Sequence, residues 1–234
     1  MSLRKENFVD GEYYHIYNRG NSKQNIFLDD KDRDRFVKLL YLCNSTKSIR
    51  FREDIVDRKI DAFDFDKGES IVLIGAWVLM SNHFHLYLTS FPSPRTVLGG
   101  DGGMGDGNIS LFMKKLCTAY SMYFNKKYNR TGSLFENRFK SVHIENDNQA
   151  KYLFSYIHLN PIKLIDPLWK ERGLKNNKKT IEFLNKYRWS SYHDYRGAKR
   201  SGSKIISKKD FPDYFDGKKV FDEEIFDWLG YTDG

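Results

Sequence analysis

The sequence between residues 78 and 88 reads Val78-Leu79-Met80-Ser81-Asn82-His83-Phe84-His85-Leu86-Tyr87-Leu88. Successive side chains of a β-strand point to opposite faces, so residues two apart share a face. We therefore expect His83 and His85 to project together, with Phe84 and Leu86 on the opposite face. Two adjacent neutral imidazoles suit a divalent metal, although two polar residues on a half-solvated strand face would give the same pattern.

The flanking sequence places this stretch in an antiparallel hairpin. An apolar strand over residues 71–80 precedes it, and the turn Ser81-Asn82 leaves both histidines at the start of the second strand. Other strands are predicted near residues 12–18 and 138–144, and helices near residues 30–45, 108–128 and 148–159. This order predicts an α+β fold, namely a ferredoxin-like antiparallel sheet with helices packed mainly on one face.

Two segments interrupt the pattern. Residues 50–70 are charged and weakly periodic, which indicates an insertion. Residues 91–107 contain several glycine clusters and are expected to form a flexible surface loop. No Gly-Lys-Ser/Thr follows these glycines, so the loop is not of the phosphate-binding kind.

The overall composition favours a soluble protein with a polyanionic partner. The 39 Lys and Arg residues outnumber the 31 Asp and Glu residues, which gives a net charge of +8 and favours nucleic acid over other partners. A merely basic soluble protein is the alternative. Only two cysteines occur, no signal peptide is visible, and no apolar run approaches the roughly 20 residues needed to span a bilayer. We therefore expect a cytoplasmic protein with no membrane partner.

The helix near residues 148–159 supplies the chemistry that the histidine pair lacks. Tyr156 and Asn160 are four residues apart and so share a helix face. Asn160 could give Mg²⁺ or Mn²⁺ an oxygen ligand beside His83 and His85, and Tyr156 could then attack phosphorus. Because the pKa of tyrosine is about 10, the metal and neighbouring cations would have to assist its deprotonation.

Several residues compete for these roles or could contact DNA. Tyr120 and Tyr123 lie on an apolar helix stripe and are interpreted as core, whereas Tyr152 lies on the wrong side of Tyr156. Lone histidines such as His15 and His143 are more often structural than ligating. Five cations are candidates for phosphate contacts, although each could also be a solvated surface charge: Arg19, Lys23, Arg130, Arg138 and Lys140.

Five ordered segments resemble the single-tyrosine HUH transposases, most closely the group of REP-associated tyrosine transposases. The resemblance covers residues 12–195, and its segments are Tyr14-His15-Ile16-Tyr17-Asn18-Arg19-Gly20, His83-Phe84-His85, Gly132 to Ser141, Tyr156-Ile157-His158-Leu159-Asn160-Pro161 and Trp189-Ser190-Ser191-Tyr192.

The resemblance implies metal-dependent nicking and rejoining of single-stranded DNA beside hairpins through a 5′-phosphotyrosine intermediate. By matching position, His83, His85 and Asn160 become metal ligands and Tyr156 the nucleophile. Residues 1–195 would form the nuclease domain, and residues 196–234 a C-terminal extension without an assigned role. Relatives act as homodimers or as monomers. The alternative is a catalytically silent protein that binds nucleic-acid hairpins.

Overall fold

A computed structural model of the chain describes residues 8–90, 107–174, 176–212 and 217–230. The predicted glycine-rich loop lies outside these residues, except for Gly107. None of the described helices is both long and apolar enough to cross a membrane.

A four-stranded antiparallel sheet forms the centre of the fold. Its strands are β1 (Tyr13–Arg19), β2 (Leu73–Leu79), β3 (His83–Thr89) and β4 (Lys140–Ile144). They lie side by side in the order β2-β3-β1-β4. With one helix between β1 and β2 and another between β3 and β4, this is the predicted ferredoxin-like arrangement. The α+β class is therefore confirmed.

Seven α-helices accompany the sheet among the described residues. They are α1 (Asp30–Leu42), α2 (Gly107–Lys127), α3 (Asp147–Leu159), α4 (Trp169–Arg172), α5 (Asn177–Lys186), α6 (Tyr192–Tyr195) and α7 (Lys218–Gly230). The observed bounds of α1, α2 and α3 match the predicted helices to within about three residues, which is ordinary for helix ends.

Helices pack on both faces of the sheet, rather than mainly on one face as we expected. Phe84 and Leu86 are buried in a core with residues of α1 and α2, whereas Val78 and Tyr87 are buried in a second core with residues of α3. The reason is visible in β2 and β3, whose burial is continuous rather than alternating. Strands that are apolar on both faces need a layer on each side.

The C-terminal part of the chain completes this second layer. The backbone N–H of Leu79 donates to the carbonyl of Trp189, and that of Ser191 donates to the carbonyl of Trp77, both at 2.9 Å. Residues 189–191 therefore extend the sheet beyond the edge of β2. Further along the chain, the Phe211 ring packs on Tyr87 with centroids 4.9 Å apart.

The predicted insertion begins with a short helical turn, Arg52–Val56. It is anchored by Ile55 and Ala62, which are buried against Leu42 at the end of α1. The segment therefore packs on the side of α1 and not on the face that carries the histidine pair.

His158 joins three elements of the second layer. Its Nδ1 donates to the Phe154 carbonyl at 2.8 Å, and its Nε2 accepts from the Ser191 hydroxyl at 2.7 Å. The same hydroxyl accepts from the backbone N–H of Trp77 at 3.0 Å. Complete burial lowers the pKa of His158 to about 3, because a charged imidazole has no water to solvate it there.

This depressed pKa predicts loss of stability in acid. At pH values between the ordinary histidine pKa of about 6.5 and the folded-state pKa, His158 binds a proton in the unfolded chain but not in the folded chain. His158 should therefore lower the free energy of unfolding by up to ~1.4 kcal/mol per pH unit as the pH falls. Urea unfolding at pH 6.5 and 5, in the presence of a chelator, measures the slope. His158→Gln should flatten that slope, and an equal slope in both proteins would contradict the prediction.

Candidate active site

Strand β3 places His83 and His85 on one face of the sheet. His85 is paired with Tyr17 of β1 and with Val78 of β2, while Phe84 between the histidines is buried on the opposite face. The centroids of the two imidazole rings lie 5.0 Å apart, and the rings are nearly perpendicular at 87°. The two side chains project together, as the strand period requires.

Helix α3 brings Tyr156 to this pair. The Asn146 side chain caps the helix by accepting from the backbone N–H of Gln149 at 3.0 Å. The helix then crosses the face of the sheet, and the Tyr156 ring lies edge-on to His85 with centroids 5.3 Å apart. Asn160 follows one turn later at the end of the helix and is 1% exposed. The structure thus brings together His83, His85 and Tyr156, and it places Asn160 beside the Tyr156 hydroxyl.

Polar atoms at the centre of this cluster have unmet hydrogen-bonding capacity. His85 Nε2 and both amide atoms of Asn160 are buried, and no described group forms a hydrogen bond of good geometry with them. Burial raises the pKa of Tyr156, and Asn160 nevertheless lies close enough to the Tyr156 hydroxyl to oppose that rise. Buried polar atoms are nearly always bonded in folded proteins, so these atoms are suited to receive a ligand.

The other ring nitrogen of each histidine is already engaged. His83 Nδ1 donates to Asn82 Oδ1 at 2.6 Å, and Asn82 Nδ2 donates in turn to the carbonyl of Lys23 at 3.0 Å. His85 Nδ1 lies 2.8 Å from His15 Nε2. In His83 this arrangement puts the proton on Nδ1 and leaves the lone pair of Nε2 available. Such outer hydrogen bonds orient the imidazoles of metal sites.

Burial keeps the histidines neutral at ordinary pH. It lowers the pKa of His83 to about 4, with Lys163 and Arg19 adding to the effect. Burial also lowers the pKa of His85 well below its ordinary value, helped by the neighbouring His15 and His83. A neutral imidazole has the lone pair that a metal requires. His83 can therefore ligate through Nε2 without first releasing a proton.

The donor types of these side chains are ones that a divalent ion accepts. Two imidazole nitrogens and one amide oxygen leave further positions of a six-coordinate ion for water and phosphate oxygens. Among the described residues, no group of three or more His, Cys, Asp or Glu side chains is arranged to hold a metal. His15 cannot be the third ligand through Nε2 while that atom contacts His85. A three-ligand set here thus depends on the Asn160 amide.

Two lysines near Tyr156 were not predicted from the sequence. The ammonium group of Lys170 lies 4.4 Å from the centroid of the Tyr156 ring, and that of Lys163 lies 5.3 Å from it. Burial raises the pKa of Tyr156, whereas nearby cations favour a phenolate and an incoming phosphate. The sequence hints at Lys163 only through its position two residues after Pro161, the proline that predicts the end of the helix. Nothing in the sequence places Lys170 near Tyr156, because α4 reaches α3 only through tertiary packing.

The five cations that were predicted to contact phosphate lie on different elements of the fold. Arg19 is the register partner of His83 and pairs with Glu136 at 2.8 Å. Lys23 is exposed in the next turn, where its carbonyl is held by Asn82. Lys140 is exposed opposite Tyr17 at the start of β4, with Arg138 exposed just before it. Arg130 instead follows the end of α2, with its guanidinium 5.5 Å from the Phe124 ring.

The tyrosines and the histidine that were considered as rivals for the nucleophile and ligand roles form other contacts. Tyr120 is buried in the core on the opposite face and donates to the Ile26 carbonyl, and Tyr123 bonds Asp32 at 3.1 Å. His143 pairs with Glu12 at 2.8 Å on β4. Tyr152 is 48% exposed and stacks on Tyr156, with ring centroids 6.1 Å apart.

Comparison with known proteins finds similarity to solved structures but not to sequence families. No family model matches the chain, and no curated protein matches its sequence. Among solved structures, the chain is similar to one described as the structure of the REP-associated tyrosine transposase bound to a REP hairpin. The identity is 15%, the match covers 86% of this chain and 90% of the other, and the TM-score is 0.46. A likeness this distant carries no argument about function, which rests instead on the geometry of the site.

Proposed function

We propose that this chain is a metal-dependent transposase that nicks and rejoins single-stranded DNA beside hairpins, with Tyr156 as the nucleophile. The observation that carries the proposal is the packing of Tyr156 against His85, with the buried Asn160 amide one helical turn away. In this proposal Tyr156 is the nucleophile beside two neutral imidazoles, and the Asn160 amide supplies the oxygen ligand. The net charge of +8 suits a DNA partner.

The reaction is a transesterification. The Tyr156 hydroxyl oxygen forms a bond to phosphorus, and the bond between phosphorus and the 3′-oxygen breaks. The proton of the phenol ends on the departing 3′-oxygen, so the products are a 3′-hydroxyl and a protein-linked 5′-phosphate. Attack by a different 3′-hydroxyl on this phosphotyrosine would rejoin DNA and restore the phenol.

The residues of the chain have separate parts in this reaction. His83, His85 and Asn160 would hold Mg²⁺ or Mn²⁺, which when bound supplies charge stabilisation to the scissile phosphate. Lys163 and Lys170 lie over the Tyr156 ring and would favour its ionisation against the effect of burial. Asn160 contributes in the same direction by lowering the pKa of Tyr156.

The rival proposal is a catalytically silent protein that only binds hairpins. The observation in its favour is the raised pKa of Tyr156, since a protonated phenol is a weak nucleophile. The basic residues would give affinity without chemistry.

A denaturing gel separates the two proposals. The protein is incubated with a pool of labelled single-stranded hairpins of varied flanking sequence, with Mn²⁺ or with a chelator. Transposase chemistry predicts a protein-linked label that requires the metal. Retained hairpin binding with no linked label from any member of the pool would favour the silent binding protein.

Asn82 offers a test of the metal site that does not depend on cleavage. Asn82→Ala should weaken Mn²⁺ binding by roughly 10- to 100-fold, because the His83 imidazole loses the hydrogen bond that orients it. Calorimetric titration with Mn²⁺ measures the change. Asn177→Ala, at the start of α5, is the matched control and should bind as the wild type does. Unchanged affinity in Asn82→Ala would show that His83 needs no such support, contrary to the proposed site.

A further inference from the structure

A cavity of about 480 Å³ lies beside α1, where the insertion packs on the helix. We name it the α1 cavity; it is defined by Lys31, Arg35, Lys38, Phe51, Lys59 and Tyr123. Residues of α1 and α2 belong to the core on the Phe84 face of the sheet, while Tyr156 packs with the core on the other face. The sheet therefore separates the α1 cavity from the candidate active site.

The charge of the α1 cavity favours an anion. Four cations and one carboxylate line it, which gives a net charge of +3. The carboxylate, Asp34, pairs with Lys38 at 2.8 Å. Within the described part of the chain, Lys31 and Lys59 form no ion pair and are exposed at the rim. Unpaired lysines that converge on a concave surface attract phosphate groups.

The walls of the α1 cavity favour a flat ring. The Arg35 guanidinium lies 3.5 Å from the centroid of Phe51 and 4.7 Å from that of Tyr123. Arginine planes and aromatic rings are the surfaces on which unpaired bases stack. The apolar side chains of Val56 and Ile60 also line the cavity, and they are 53% and 38% exposed. An acidic peptide would use the lysines and leave this stacking surface unused.

From these two features we infer that the α1 cavity binds single-stranded nucleic acid, with a base stacked beside Arg35 and Tyr123 and the backbone phosphates on Lys31 and Lys59. The cavity is a second contact, apart from the chemistry at Tyr156. The inference rests on the proposed function in one respect only, namely that the partner is nucleic acid. It also assigns a purpose to residues 51–62, which the catalytic site does not use.

Photo-cross-linking tests the inference on the full chain. An oligothymidylate of about 12 nucleotides carrying 4-thiothymidine is bound in the presence of a chelator, irradiated, and mapped by mass spectrometry. We expect cross-links on peptides that contain Phe51 or Tyr123. The double variant Lys31→Glu/Lys59→Glu should lower affinity roughly tenfold at low salt. Both positions are exposed, so folding should be retained.

Lys209→Glu/Lys218→Glu is the matched control, since it makes the same charge change at exposed positions that do not line the cavity. Cross-links found only elsewhere, or an equal loss of affinity in the control, would overturn the inference. Failure of the proposed transposase chemistry would look different: cross-links in the α1 cavity would persist, but hairpin DNA with Mn²⁺ would give no protein-linked product.

Discussion

We expect Tyr156→Phe to abolish covalent attachment of DNA to the protein, with a loss of cleavage rate of at least about a thousandfold. The substitution removes only the hydroxyl that would attack phosphorus. The ring remains, so its edge-on contact with His85 and its packing on α3 are kept. Hairpin affinity should stay close to that of the wild type, because no phosphate contact is lost.

Single-turnover cleavage of labelled hairpin DNA with Mn²⁺ measures this effect, and binding is measured with a chelator present. Tyr152→Phe is the matched control. Tyr152 is a neighbouring tyrosine on the same helix, stacked on Tyr156 but about half exposed. The Tyr152→Phe variant should cleave hairpin DNA as the wild type does. If Tyr156→Phe still forms the adduct, Tyr156 is not the nucleophile.

We expect His83→Ala to abolish cleavage and to leave hairpin binding largely intact. Removing one of three proposed ligands leaves His85 and Asn160, too few to hold an ion with the substrate phosphate in place. His83 is half-buried at the start of β3, so its loss creates little cavity. Excess Mn²⁺ should restore part of the activity.

His143→Ala controls for the loss of a strand histidine. His143 lies on β4 and pairs with Glu12 away from the proposed ligands. Cleavage and binding should both survive that change. Loss of binding together with cleavage in His83→Ala, with a lower unfolding temperature, would point to a structural role for His83.

The parts of the site that the sequence predicted are those governed by local periodicity. The two-residue period of a strand placed His83 and His85 on one face, and burial of Phe84 opposite them bears this out. The four-residue spacing of a helix aligned Tyr156 with Asn160, and Pro161 marked the end of that helix. Each of these inferences needed only the geometry of one element.

The parts that could not be predicted depend on contacts between distant segments. His15 touches His85 across two neighbouring strands, and Lys170 returns to Tyr156 from a later helix. Helices on the second face of the sheet follow from how α3 and the later described helices pack, which no local pattern specifies. Lone histidines and lysines have no periodicity, so their partners emerge only in the folded chain.

The most direct test of the central claim is to locate the nucleotide on the protein. Hairpin DNA and Mn²⁺ are added to the full chain, the DNA is trimmed with a nuclease, and the peptides are sequenced by mass spectrometry. The account predicts a nucleotide joined through its 5′-phosphate to Tyr156, formed only with the metal. A nucleotide on any other residue, or nicked DNA with a free 5′-phosphate and no protein attached, would contradict it.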